Sequence, residues 1–246
     1  MTRLSVQLYS VRDQFAADPL ATLQRLAGIG FTDVEPYGLV QNLDALRDGL
    51  PQTPLSAPTA HVSLVGADLD AVFAAAVACG IGVVIEPAVR APQWQDAAGV
   101  AATAAALNDA AKAAAGHGLR VGYHNHHWEL ATMPDGRTAL EHFADEVGPE
   151  VVLELDTYWA AVGGQDVPAL LGRLGDQVRM LHLKDGPIDT DSVAQLPVGS
   201  GAMPVTEIMR AATAVELAVL EFDDYAGDVF DGIAAGYAYL TAFAPR

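Results

Sequence analysis

Eight times along this chain a short apolar stretch is followed by a segment with helical spacing. The apolar stretches fall at residues 4–9, 32–37, 55–62, 81–86, 119–126, 151–156, 178–184 and 217–223. They are rich in Val, Leu and Ile without a helical period, and they read as strands. Residues 4–9 alternate strictly, with Leu4, Val6 and Leu8 on one face and Ser5, Gln7 and Tyr9 on the other. The first helix opens at Asp18-Pro19, an N-cap followed by a proline in the first turn, and carries Leu20, Leu23 and Leu26. Further helices are expected at 43–50, 68–79, 97–115, 138–147, 167–174, 205–213 and 229–243, several of them stopped by glycine.

Strands that alternate with helices call for a parallel sheet, and eight such units specify a (β/α)8 TIM barrel. An open, doubly wound sheet is the competing architecture. It would carry a glycine-rich phosphate turn after the first strand, and Tyr9-Ser10-Val11-Arg12-Asp13 has no glycine. No linker or break in composition divides the chain, so residues 1–246 read as one barrel domain.

In such barrels the C-terminal ends of the strands carry the site, and here those ends turn polar. Glu154 and Asp156 share a face of the sixth strand, His124 and His126 of the fifth, His182 and Lys184 of the seventh, and Glu221 and Asp223 of the eighth. Glu35 lies late in the second strand, His61 near the end of the third, and Glu86 ends the fourth. These side chains are expected to converge in the barrel mouth. A lone histidine at a strand end is unremarkable. Successive strands delivering His, Asp, His and Glu at one level are not, and this mixed nitrogen and oxygen set suits Mn²⁺, Mg²⁺, Co²⁺ or Zn²⁺.

Charge narrows the partners. The chain carries 31 acidic against 13 basic residues, a formal net charge of −18. That excess repels phosphate backbones and anionic membrane surfaces. A small molecule is therefore the expected partner, with neither nucleic acid nor membrane, and a homodimer is compatible with the sequence. Cys79 is the single cysteine, so no internal disulfide forms. The first residues lack the apolar core of a secretion signal, and the Ala-rich stretch 97–115 is interrupted by Asn108, Asp109 and Lys112. Both features point to a cytoplasmic protein.

The motifs Gln7-Leu8-Tyr9-Ser10-Val11-Arg12, Tyr123-His124-Asn125-His126, Leu155-Asp156-Thr157-Tyr158-Trp159-Ala160, His182-Leu183-Lys184-Asp185 and Leu220-Glu221 resemble the sugar phosphate isomerase/epimerase family. This is the xylose isomerase-like TIM-barrel group of the AP endonuclease 2 superfamily, which also holds endonuclease IV, inosose dehydratase and ketose 3-epimerases. The resemblance implies a divalent metal held by Glu, Asp, His and Glu from the fifth to eighth strands. The last three correspond to Asp156, His182 and Glu221. His124 stands where the family has its first glutamate and is the fourth expected ligand, with His126 and Glu86 as alternatives.

The implied chemistry is isomerisation or epimerisation of a small sugar or sugar derivative through a metal-stabilised enediolate. Glu221 is the expected base for the proton alpha to the carbonyl, and His124 is the second group assigned to catalysis. Glu35, His61, His126, Lys184 and Trp159 are expected to contact substrate, Trp159 by stacking on a sugar face or, alternatively, by packing in the core. Lys184 is alternatively held in a structural salt bridge with Asp185 or a neighbour. A metal-dependent lyase or dehydratase of a keto-sugar or inosose shares the same first step, and a sugar-binding barrel without turnover is the non-enzymatic alternative.

Overall fold

The structure is a computed structural model and describes residues 2–90 and 92–243. The ends of the expected domain, residues 1 and 244–246, lie outside the described residues. In chain order the strands and helices are β1 (Arg3–Gln7), α1 (Arg12–Ala17), α2 (Pro19–Ile29), β2 (Asp33–Glu35), α3 (Leu43–Gly49), β3 (Thr59–His61), α4 (Leu69–Ala78), β4 (Val83–Glu86) and α5 (Ala97–Ala115). They continue with β5 (Arg120–His124), α6 (Ala139–Glu146), β6 (Val151–Asp156), α7 (Thr157–Val162), α8 (Val167–Leu174), β7 (Val178–Leu183), α9 (Val205–Ala211), β8 (Leu217–Leu220) and α10 (Val229–Phe243).

All strand pairs are parallel, in the order β2-β1-β8-β7-β6-β5-β4-β3. The two end strands meet through single bonds. Val34 N–H donates to Ser56 O at 2.9 Å, Ser56 N–H to Thr32 O at 2.9 Å, and His61 N–H to Pro36 O at 2.8 Å. Eight parallel strands alternating with helices thus make a nearly closed barrel, as expected. Pro36 and Pro58, which lack a backbone N–H, keep β2 and β3 to three residues each, shorter than the runs 32–37 and 55–62.

Inside the barrel, side chains change character with height. The lower interior is an apolar plug of Val83, Ile85, Val152, Met180, Leu217 and Val219. Gly122 belongs to this layer, where a Cβ would come within 3.0 Å of Ile85. One inward position higher, β1, β2, β3, β5, β6 and β7 present Gln7, Glu35, His61, His124, Glu154 and His182, all buried. The outward faces of the strands and the helices around them form the larger apolar core.

Several polar residues expected in strands lie just past them. β1 gives way to a 3-10 turn, Leu8–Val11, so Tyr9 rides on the loop. His126, Lys184 and Glu221–Asp223 likewise follow the ends of β5, β7 and β8. Two short helices are additions to the sequence reading. One is α1, immediately before the Asp18 cap. The other is α7, which starts directly after Asp156, whose Oδ1 accepts from Trp159 N–H at 2.8 Å. No helix among the described residues is long and apolar enough to cross a membrane.

The segment after β7 is tied down by Asp185, which is buried. Its carboxylate accepts backbone N–H bonds from Gly186 (2.8 Å), Gly199 (2.9 Å), Gly201 (3.0 Å) and Met203 (3.0 Å). Asp185→Ala orphans these donors and should lower unfolding stability by on the order of 3 kcal/mol. Urea denaturation checks this, and an unchanged midpoint would show that water replaces the carboxylate without cost.

Candidate active site

A buried hydrogen-bonded tier crosses the barrel above the apolar plug. Glu35 accepts from Gln7 Nε2 at 2.8 Å, meets His182 Nε2 at 2.7 Å, and also bonds Thr59 Oγ1. Glu154 Oε2 gathers His61 Nε2 at 2.6 Å, His182 Nε2 at 3.1 Å and His124 Nδ1 at 3.2 Å. The His61 and His182 rings stack with centroids 5.0 Å apart. Burial and the nearby Glu154 carboxylate push Glu35 up. Burial also opposes the charge on Glu154, but His182 and His61 outweigh it and hold Glu154 well below the usual carboxylate range.

Above this tier stand the groups nearest solvent. His182 Nδ1 meets Glu221 Oε2 at 2.6 Å. The Lys184 ammonium lies 2.8 Å from Glu221 Oε2, 2.8 Å from Asp223 Oδ1 and 2.9 Å from Asp156 Oδ2. Burial disfavours charge on Lys184, yet Asp156, Asp223 and Glu221 hold it well above its ordinary range, so it remains an ammonium. Burial likewise opposes ionisation of Glu221, and Lys184 and His182 override it, keeping Glu221 a carboxylate. Asp156 is pushed up to about 6, chiefly by burial. His124 is pushed down to about 3 by burial and by His182, so it is a neutral imidazole, the form that ligates a metal.

The donor set fits a divalent cation that displaces the proton of His182. Burial disfavours that proton, but Glu154, Glu221 and Glu35 outweigh it and hold His182 well above the usual histidine range. His124, Asp156, His182 and Glu221 each offer one ligand atom, and these atoms lie within 4.8 Å of one another. Asp156 spends Oδ1 on capping α7. Its Oδ2 is met by Lys184 Nζ at 2.9 Å and His124 Nε2 at 3.7 Å. A deeper set, His61, His124, Glu154 and His182, satisfies the same distance test, and Glu154 Oε1 is buried without a partner. Imidazole and carboxylate donors without thiolate suit Mn²⁺, Co²⁺ or Zn²⁺.

A cavity of about 550 Å³ opens over these groups. His61, His124, His126, Lys184, Glu221 and Asp223 form its polar side. Val40, Val62, Ala67, Ala71, Val72, Pro87 and Ala88 form an apolar wall, with Tyr9 and Tyr37 at one edge. His126 stacks on Trp128 with 4.3 Å between centroids, and burial drives it down to about 2, leaving it neutral. The loop carrying it is pinned by Glu129, which accepts from His126 N–H at 2.9 Å and from the Tyr123 hydroxyl at 2.6 Å.

Glu86 and Glu35 are placed differently from the expectation, and for Trp159 and Lys184 the structure selects between the alternatives. Glu86 faces away from the barrel interior, because Val83 and Ile85 point inward and Glu86 alternates with them. Its carboxylate accepts from Leu64 N–H at 2.7 Å and Val65 N–H at 2.9 Å, and it joins neither ligand set. Glu35 does not line the cavity but lies beneath His61 and His182, fully buried. Trp159 is carried off the cavity wall by the start of α7 and packs near His127, at 5.3 Å between centroids, and behind Lys184. Lys184 pairs with Asp156, Glu221 and Asp223, while Asp185 is consumed by backbone bonds. Gln7 and Thr59 join the buried tier with no role at a site legible in the sequence, and Glu154, expected in the barrel mouth but given no role, joins it too. Glu154 was within reach, since it shares the inward face of β6 with Asp156.

The sequence matches the family Xylose isomerase-like TIM barrel over residues 39–235, most of the chain. The chain belongs to this family. Solved structures of the xylose isomerase-like fold superpose along its whole length. A sugar phosphate isomerase/epimerase from Parabacteroides distasonis ATCC 8503 has a TM-score of 0.84 at 21% identity, covering 99% of this chain and 94% of that one. The 3-keto-D-glucoside 4-epimerase YcjR from E. coli, in its apo form, has a TM-score of 0.74 at 17% identity, covering 98% and 100%. The IOLI protein with a bound zinc atom has a TM-score of 0.72 at 12% identity, covering 98% and 97%. No curated protein sequence matches the chain. At these identities the likeness is one of fold.

Proposed function

We propose that this xylose isomerase-like barrel is a divalent-metal-dependent isomerase or epimerase of a small sugar or sugar derivative. The observation that carries the reading is the convergence of His124, Asp156, His182 and Glu221 within 4.8 Å at the C-terminal end of the barrel, beside an open cavity. The zinc in a neighbour of the same fold and the epimerase activity named for another support it.

A divalent cation held by His124, Asp156, His182 and Glu221 would supply a Lewis acid for a carbonyl bound beside it and for the negative charge that grows on its oxygen. The residues of the chain do the rest. Glu221 reaches the cavity with its Oε2 held by His182 and Lys184, which leaves Oε1 to take the proton alpha to the carbonyl. Lys184 keeps its proton and spends it on Asp156, Glu221 and Asp223, so it orients these carboxylates and does not accept a proton from carbon. Glu35 and Glu154 hold His182 and His61 from below, fixing the imidazoles without touching substrate. The apolar wall excludes water from the other side of the bound sugar.

Isomerisation asks one base to carry a proton to the adjacent carbon. Epimerisation asks for a donor on the opposite face. Incubating the metal-loaded protein with keto-sugars and inososes in D₂O, with NMR detection, tests the reading. Solvent deuterium should enter alpha to the carbonyl, and the product identifies isomerase, epimerase or dehydratase. Absence of exchange and of any product across the panel would refute it.

The metal has its own test. The protein should take up about one Mn²⁺ or Zn²⁺ per chain, and Asp156→Ala or His182→Ala should weaken that binding by at least roughly 100-fold, since each removes a ligand. Calorimetric titration reads this directly. Unchanged binding in both variants would move the cation away from this set.

A further inference from the structure

We infer that the substrate carries no phosphate. The inference rests on the proposed function for the location of the substrate and adds the chemistry of what fills the cavity. A protein that binds a sugar phosphate places cationic side chains or free helix N-termini against the phosphate. The cavity has neither to spare.

Among the described residues lining the cavity, Lys184 is the one lysine or arginine, and three acids line it as well: Asp68, Glu221 and Asp223. The Lys184 ammonium is already shared by Asp156, Glu221 and Asp223, all within 2.9 Å. A divalent cation would add two positive charges, which the carboxylates of Asp156 and Glu221 match between them. His61 faces Glu154 at 2.6 Å and Glu35 at 3.3 Å, so a positive charge on it is likewise met.

The arginines nearest in sequence to lining residues, Arg12 beside Tyr9 and Arg90 beside Ala88, are not in the wall. Arg12 lies against the Tyr9 ring and spends its guanidinium on Asp224 at 2.6 Å and on the carbonyls of Tyr9 and Asp223 at 3.0 and 2.8 Å. Backbone offers no substitute. The N-terminus of α4 reaches the cavity at Ala67, Asp68 and Ala71, but Asp68 caps it, accepting from Ala71 N–H at 3.2 Å. An anion is thus already built into that helix end. The rest of the lining is the apolar wall and the neutral polar groups of Tyr9, Tyr37, Gln41 and Ser63, which offer a phosphate hydrogen bonds but no compensating positive charge.

Matched pairs decide the question: D-fructose against its 6-phosphate, D-ribulose against its 5-phosphate, and the unreactive xylitol against xylitol 5-phosphate. Deuterium exchange on the metal-loaded protein reads the keto-sugars, and calorimetry reads the polyols. Neutral members should be preferred by on the order of tenfold or more, because a phosphate faces an acidic, apolar surface. Equal or better use of the phosphates overturns the inference and leaves the isomerase reading standing. Preferential binding of xylitol with no exchange in any keto-sugar supports the inference and refutes the isomerase reading. Neither binding nor exchange refutes both.

Discussion

Glu221→Gln should lower turnover by roughly 10²–10⁴, the usual cost of losing a general base. Glutamine nearly preserves the shape of the side chain. It retains an oxygen that can face Lys184, but it cannot accept a proton from carbon and cannot balance a cation. The same carboxylate belongs to the ligand set, so two effects are folded into one number and must be separated. Titrating Mn²⁺ into the variant does so. If metal affinity falls and saturating metal restores activity, Glu221 acts as a ligand. If the metal-saturated variant remains slow and deuterium exchange alpha to the carbonyl falls by the same factor, Glu221 is the base. Full activity of Glu221→Gln would mean that it is neither, and the mechanism above would be wrong.

The fold was legible because eight strand-helix units leave little choice of architecture; β2 to β8 fall inside the expected strand runs and β1 begins one residue early, at Arg3. The site was legible where strands announce their two faces. On β6, β7 and the end of β8, polar and apolar residues alternate, so Asp156, His182 and Glu221 could be aimed at one centre. On β4 that cue is missing. Val83, Val84 and Ile85 are all apolar, and nothing in the sequence says that Ile85 faces inward and Glu86 outward. Depth was hidden as well. Glu35 has the right parity, but the register of β2 against β1, with Gln7 opposite Glu35, sinks it into the tier below the cavity. For Trp159 the sequence leaves sugar stacking and core packing open, and the structure takes the second, because Asp156 starts a helix at Thr157 and turns the indole away. Thr59 left no signal, since a hydroxyl bonded to a buried carboxylate looks in sequence like any strand threonine.

Lys184→Met should destabilise the metal-free protein by about 3–5 kcal/mol, the cost of breaking a buried charge cluster by removing one partner. The ammonium is 2% exposed and sits among three carboxylates, two of which, Asp156 and Glu221, are proposed metal ligands. Methionine fills a similar volume, so the loss is electrostatic rather than a cavity. For a domain of this size the expected fall in melting temperature is roughly 6–20 °C. The second half of the prediction is the more discriminating. Without the ammonium, Asp156 and Glu221 are left with negative charge that a divalent cation can neutralise. Added Mn²⁺ or Zn²⁺ should therefore raise the melting temperature of Lys184→Met by more than it raises that of the unmodified protein. That difference cannot come from packing alone. A variant that is destabilised but gains no extra protection from the metal would place Lys184 in a purely structural ion cluster and would separate the cation site from these carboxylates. A variant as stable as the parent would show that the carboxylates do not need the ammonium, and the charge assignment of the whole upper tier would have to be redrawn.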